Sequence, residues 1–434
     1  MIPSEKHFIN FDSQFLILVL FLFLPFVGIG QNYNLVVSDT WLSVQNSAAV
    51  NVSGNLVNED NGSIKLDGKI CVGSHVINNA DNNMFLDQQV IPTGVLMMSS
   101  LLINQQIRGF GNSIFFPNLH LIGTKKTLYL ADCQVNNKLF VEAEFELNRL
   151  NFIINNKNTD GIHYISGFIR SESQPSQYGT IQWNIQNNTG AFSIPFGSGM
   201  GNENDLNLTI ITETSGSAEG FYKTATYPTE DFTNIPFPSM VMSLDPYQEV
   251  NVVDRFWFVE PTYVSRPNIS LAFKYNPNDF DTPNHVRENT LEAVRHNDAQ
   301  QKWDDWKPGG IVNPQTKTVL TNSIPRQHQF SHWALVSEDE SGDIWMPNAF
   351  SPDRDEYFTN EDYGPVITFP YAKYEFFIFN RWGEPIFESS DINIRWDGTY
   401  KGEVVPMGTY AWLIVITKHS TKKYKYNGIV NVIL

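Results

Sequence analysis

Residues 141–148 read Val-Glu-Ala-Glu-Phe-Glu-Leu-Asn, and they constrain the fold more than any other stretch. Glutamate is a good helix former. A period of 3.6 residues, however, would mix glutamate and apolar side chains on every face. A period of two puts Val141, Ala143, Phe145 and Leu147 on one side and Glu142, Glu144 and Glu146 in water. The segment from Lys138 to Leu147 therefore reads as a strand buried on one side. Leu119 to Ile122, Thr127 to Leu130 and Phe152 to Ile154 are further short strands. They are joined by Asn-rich turns, at Asn136-Asn137 and Asn155-Asn156, where asparagine tolerates the left-handed conformation.

An internal repeat lies nearer the start. Residues Val50 to Leu56 align with Ile64 to Ile70 at an offset of 14 residues, each copy alternating and then turning at a glycine. The register does not run cleanly past Val72. Short strands in succession, with asparagine at the corners, predict a β-solenoid-like region over residues 31–190. A β-sandwich has the same turn spacing and is the alternative. Residues 191–338 are richer in aromatics and proline, with strands expected at Val250 to Val259, Ile269 to Tyr275 and His332 to Ser337. This part reads as a β-sandwich. Only Asn289 to His296 looks helical, with Leu291 and Val294 on one side. Residues 339–343 form a polar, acidic linker. Residues 344–434 form a small β-sandwich. Its apolar runs Tyr374 to Phe379 and Ala411 to Ile416 suggest strands covered on both faces, and its last strand carries Tyr424, Tyr426, Val430 and Val432. The fold class is all-β.

Composition narrows the function. The chain has 434 residues, too many for one ordinary domain. With 41% hydrophobic and 17% charged residues it can bury a core throughout. A net charge of −17 opposes binding to nucleic acid and to anionic membranes. Two cysteines, Cys71 and Cys133, cannot frame a disulfide scaffold, and their pairing is open. Phe15 to Val27 is an apolar run of thirteen residues, which as helix spans about 20 Å of a roughly 30 Å hydrocarbon core. It ends in Gly28-Ile29-Gly30, the small-x-small form of a cleavage site, so residues 1–30 read as a secretory signal peptide. An uncleaved anchor is the other reading. No later run reaches the length of a transmembrane helix, so the mature chain is expected to have no such span.

Chemistry is sparse. The chain contains neither H-E-x-x-H nor G-x-S-x-G. His285 and His296 flank Glu288 and Glu292 at a spacing wrong for two metal ligands, and a solvated helix face explains them better. No cofactor or metal is expected. Gly197 to Gly201 reads as a turn. Asn202, Glu203, Asn204 and Asp205 have the oxygen ligands for Ca²⁺ but also read as an ordinary loop. Trp303-Asp304-Asp305-Trp306 is the most site-like cluster, because two tryptophans could stack on a sugar between carboxylates. If these residues lie on a strand, Trp303 and Trp306 face opposite ways and one belongs to a core.

The last unit carries four ordered motifs. Ile378-Phe379-Asn380-Arg381-Trp382-Gly383-Glu384 comes first, then Trp396-Asp397-Gly398 ending at Gly402. Val405-Pro406-Met407-Gly408-Thr409-Tyr410 and Gly428 to Leu434 complete the set. Together they resemble the gliding-motility-associated C-terminal domain, the type B sorting domain of type IX secretion cargo. The opening Pro347-Asn348-Ala349-Phe350-Ser351-Pro352 also fits, but Asp353-Arg354-Asp355-Glu356 stands where relatives have a Gly-rich acidic loop. The resemblance implies export through the periplasm and outer membrane to the cell surface or medium. It also implies the type IX translocon and a PorP/SprF-like outer-membrane protein as partners. Physically, Asp397-Gly398 reads as a hairpin turn, Gly383 and Gly408 as positive-φ positions, and Trp382, Trp396 and Trp412 as core. Upstream, Phe116 to Leu121 and Ala191 to Gly197 resemble passenger regions of such cargo more loosely. The expected protein is thus a non-enzymatic surface or secreted protein with a structural or adhesive passenger. The alternative is a surface protein that binds or degrades polysaccharide. A degrading site would need basic residues along one groove, yet Arg108 and Arg149 are the only arginines between Asn34 and Ile165.

Overall fold

The computed structural model of the chain describes residues 33–86, 92–110, 113–174, 177–199, 205–230, 233–247, 249–280, 286–303, 305–337, 344–353, 360–369, 371–417 and 423–433. The segment read as a signal peptide and the linker 339–343 lie outside these residues.

The N-terminal region is a three-faced parallel β-solenoid. One face stacks Leu35–Ser38, Leu56–Glu59, Val76–Asn78, Gln105–Gly109, Lys126–Tyr129, Glu144–Glu146 and Phe168–Arg170. A second stacks six strands from Ala49–Val52 to Ile162–Tyr164. A third starts with Trp41–Val44 on Ser63–Leu66 and resumes at Ile114–Phe116, Cys133–Val135, Asn151–Ile154 and Thr180–Trp183. Val50 pairs with Ile70, Leu56 with Val76 and Leu119 with Leu139, so a coil takes about twenty residues. The repeat of fourteen is not the coil. It aligns a strand of the second face with Ser63–Leu66 of the third. Every face shares the same pattern of apolar alternation and corner, so the similarity runs between faces as well as between coils.

The glutamate-rich segment is two strands rather than one. Leu139–Glu142 lies in the second face and Glu144–Glu146 in the first, with the corner at Ala143. The alternation survives the corner, because Val141, Ala143, Phe145 and Leu147 are all buried. The glutamates are not simply in water. Each meets a basic side chain from a neighbouring coil: Glu142 with His120 at 2.6 Å, Glu144 with Arg170 at 2.7 Å and Glu146 with Lys125 at 2.7 Å.

The abundant asparagines have a structural use beyond turning. Asn137 Nδ2 donates to Asn118 Oδ1 at 2.9 Å, and Asn156 Nδ2 donates to Asn137 Oδ1 at 3.4 Å. A second ladder runs from Asn184 to Asn155 to Asn136 at 2.8 and 3.0 Å. Amides at equivalent corners satisfy one another up the stack, as identical side chains do in other stacked β structures. Cys71 and Cys133 are free thiols on different faces, and burial pushes the Cys133 thiol far above its usual range.

The third face does not end with the solenoid. Thr180–Trp183 pairs antiparallel with Phe221–Pro228, which continues to Val252–Thr262, His332–Val336 and Glu292–Arg295. A five-stranded sheet, ordered Gly190–Ile194, Leu208–Thr212, Ile269–Lys274, Thr318–Thr321 and Gly310–Asn313, shares its core. That core runs unbroken from Val37 to Leu335. The helical expectation near residue 290 is overturned. A single 3₁₀ turn, Glu288–Thr290, leads into the strand Glu292–Arg295. Pairing with His332–Val336 satisfies the backbone there, and Ala293, Val294 and Arg295 are buried against it.

The C-terminal unit has its own core, drawn wholly from residues after Ile344. Its main sheet orders Ala349–Phe350, Lys423–Val432, Gly408–Thr417, Lys373–Phe379 and Pro385–Ser389. The two long apolar runs are covered on one side only. Tyr374, Phe376 and Ile378 are buried, whereas Phe377 and Phe379 stack on each other outside at 6.2 Å. Among the described residues no helix is long and apolar enough to cross a membrane.

Candidate functional site

The first two C-terminal motifs supply two turns of the last unit, and the motif from Gly428 lies mainly in the strand Lys423–Val432. The first turn joins Lys373–Phe379 to Pro385–Ser389. Gly383 N donates to Asn380 O at 3.0 Å, and the Asn380 side-chain oxygen accepts from Trp382 N and Glu384 N, each at 3.0 Å. The Asn380 amide nitrogen reaches Glu384 Oε2 at 3.0 Å. Gly383 has φ +78, a left-handed conformation that a side chain would strain. One asparagine and one glycine therefore lock the loop, and the register shifts beside it as in a glycine-bulge hairpin.

The second turn is Lys401-Gly402, not Asp397-Gly398. Tyr400 pairs with Glu403, and both intervening residues have positive φ, +53 and +87, as a two-residue primed turn requires. Asp397 has another task. Its carboxylate accepts from Thr399 N at 3.0 Å and Thr399 Oγ1 at 2.7 Å. Gly398 is needed because its φ is +74 and a Cβ would sit 2.5 Å from Pro352. Trp396 is fully buried between Phe350 and Tyr410 and donates from Nε1 to Thr399 O at 3.0 Å. Tyr410 donates to the Pro406 carbonyl at 2.8 Å, and burial raises its hydroxyl pKa. Gly408 has φ +154, in the region that favours glycine.

The two turns are tied together. Tyr400 OH donates to Glu384 Oε1 at 2.7 Å, and this bond, with that from Asn380, holds the Glu384 carboxyl below its usual range. The Lys401 ammonium lies 4.8 Å from the Tyr400 ring centroid.

Two residues of the first motif have side chains that take no part in these contacts. Trp382, expected in the core, is 83% exposed at the tip of the first turn. Arg381 is exposed beside it, with its guanidinium 5.6 Å from the Trp382 ring centroid. The motif therefore splits into residues that shape the turns and an exposed arginine–tryptophan pair. The signal in the sequence was that tryptophan stands between two residues already committed to turning the chain.

The Trp303–Trp306 region is not arranged as a paired platform. Neither residue lies on a strand. Trp303 is 1% exposed, stacks on Phe256 and donates from Nε1 to Ser243 O at 2.8 Å. Trp306 lies against His328, with ring centroids 4.1 Å apart and nearly parallel. Asp305 takes a bidentate contact from buried Arg295, at 2.8 and 3.0 Å, which outweighs the effect of burial and lowers the carboxyl pKa. Asp304 lies outside the described residues, as do His285, Asn202, Glu203, Asn204 and the acidic loop after Asp353. Asp205 is occupied by Lys274 at 2.8 Å. Glu288 binds Lys317 and Tyr275, and Glu292 binds Lys307, so the expected solvated helix face is a set of ion pairs.

Residues 344–432 match the family model of the CHU_C Type IX secretion signal domain. No curated protein matches the chain. The chain thus carries the C-terminal sorting domain of type IX secretion cargo, which directs export to the cell surface or extracellular space with the secretion machinery as partner.

Proposed function

We propose that the export machinery reads the sorting domain at the Arg381–Trp382 tip, and that the passenger is a non-enzymatic structural or adhesive protein of the cell surface. The observation that carries the first part is the exposed tryptophan. A large apolar ring held in water on a locked turn contributes nothing to folding, but it is the residue type that dominates recognition surfaces when a partner covers it. An arginine beside it adds charge and planar hydrogen-bonding capacity. A PorP/SprF-like outer-membrane protein is the partner that fits this reading.

For the passenger, the carboxylate most suggestive of acid–base chemistry, Asp305, is neutralised by a buried arginine. The exposed apolar groups are instead spread along the solenoid. Leu101, Leu102 and Ile103 project from the segment after Val95–Ser100, and Phe110, Tyr129 and Leu130 mark neighbouring coils. These groups suit contact with a surface. Secretion from a leader, and attachment at the outer membrane, complete the proposal.

The test is the double substitution Arg381→Ala, Trp382→Ala. Surface changes of this kind usually alter stability by about 0.5 kcal/mol or less, so the purified variant should melt with the wild type. Its amount outside the cell should nevertheless fall several-fold. Wild-type export by a variant that folds normally would remove the tip from the account.

A further inference from the structure

Two buried histidines of the middle region, His296 and His332, form a ligand set with Asp298 that their spacing in sequence hides. Glu292–Arg295 pairs antiparallel with His332–Val336, and the ladder extends one step further, where His296 N donates to His332 O at 2.9 Å. His296 and His332 are therefore cross-strand neighbours. They are 1% and 7% exposed. The chain then turns at Asn297, whose side-chain oxygen accepts from Ala299 N and Gln300 N at 3.2 and 3.3 Å. The turn brings Asp298 over the pair. Its Oδ1 lies 2.7 Å from His296 Nδ1 and 3.6 Å from His332 Nδ1. One ligand atom from each residue falls within 4.8 Å of the other two.

A second observation also points to a ligand. His332 Nδ1 is buried, and Asp298 Oδ1, 3.6 Å away, lies beyond hydrogen-bond reach of it. An orphaned polar atom on a buried ring is costly, and native structures normally give it a partner. Phe258 and Trp303 wall the site, with ring centroids 5.6 Å from His332 and 5.1 Å from His296.

We propose that His296, Asp298 and His332 bind a divalent transition-metal cation, with zinc the best fit. Two imidazoles and one carboxylate form a borderline donor set that suits zinc. Calcium and magnesium prefer oxygen throughout. Bonds of about 2.0 Å in tetrahedral geometry separate ligand atoms by about 3.3 Å, and the two separations to Asp298 lie on either side of that value. An imidazole nitrogen binds a metal only when it carries no proton, so a proton on His296 Nδ1 leaves to solvent when the cation binds. Three protein ligands leave a fourth position. The Asp298 side chain is 34% exposed, so this position opens toward solvent, where water or a group from a partner can fill it.

The test uses the full purified chain, stripped of metal by chelation. Zinc titrated by calorimetry should bind with one site per chain that is lost or weakened more than about tenfold in Asp298→Asn and in His332→Gln. Cobalt should give the visible absorption of a tetrahedral centre, and zinc should raise the melting temperature of the wild type but not of Asp298→Asn. Asp298 lies on a half-exposed turn, so its variant decides the matter even if His332→Gln folds poorly. Failure of the wild type to bind, or equal binding by the wild type and Asp298→Asn, would overturn the proposal.

Discussion

Trp396→Ala should unfold the C-terminal sandwich and leave the protein inside the cell envelope. Trp396 is fully buried, touches Phe350 and Tyr410, and satisfies its indole N–H on Thr399. Truncating a buried tryptophan typically costs about 3–5 kcal/mol. A domain of fewer than a hundred residues has about that much to lose. The effect separates cleanly from that of Trp382→Ala, because Trp382 packs against nothing that holds the domain together. Urea denaturation should therefore give a collapsed midpoint for Trp396→Ala and an unchanged one for Trp382→Ala, while export falls in both. Equal stabilities for the two variants would contradict the division of the motif into folding and recognition residues.

The second large effect belongs to the passenger. Arg255, on the long strand Val252–Thr262, is 1% exposed. It donates from Nε to Asp279 at 2.6 Å and from NH1 to Glu172 at 3.0 Å. Burial alone would disfavour its charge, but the two carboxylates outweigh burial and raise its pKa further. Glu172 begins the strand Glu172–Gln174, which lies between the last strand of the first face and Thr180–Trp183 of the third, and Asp279 lies in the 3₁₀ turn Pro277–Phe280. The arginine thus clasps the solenoid end to the sandwich. Asp279→Ala leaves a buried guanidinium half-compensated, and breaking such a pair costs about 3–5 kcal/mol. Replacing Arg255 and Asp279 together with leucine should cost less, because no buried guanidinium then remains and Glu172 keeps Arg170, 3.4 Å away. Chemical denaturation of the three proteins checks the order. A double variant less stable than Asp279→Ala would contradict it. Neither change should shift the melting of the C-terminal unit, whose core is separate.

Much of the solenoid was legible because one signal, alternation, survives in most of its strands, whereas Val252–Thr262 and His332–Val336 are buried at nearly every position. Val141 to Leu147 kept its inward and outward sides even across a corner, but the corner itself left no trace, because Ala143 fits both strand and bend. The coil length was hidden by the similarity of the three faces. The asparagines looked like turn formers, and their stacking across coils could be seen only once a period of about twenty was known. In the sorting domain, Lys401-Gly402 was overlooked beside the more familiar Asp397-Gly398, although the latter's real demand is the close approach of Pro352. Trp382 was misplaced because its large apolar ring reads as core in so small a domain, and only the capping role of Asn380 shows that the chain has already turned outward. His296 and His332 could not be joined from sequence, since a strand ladder, not spacing, brings them together.

The central claim is that the C-terminal unit alone carries the export signal. The direct measurement attaches a leader and a reporter enzyme to residues 341–434 and compares cell-surface and medium fractions with periplasm in a host with type IX secretion. The account predicts reporter activity outside the cell, abolished by Trp396→Ala and reduced by Arg381→Ala, Trp382→Ala. Retention of the folded, wild-type fusion in the periplasm would contradict it.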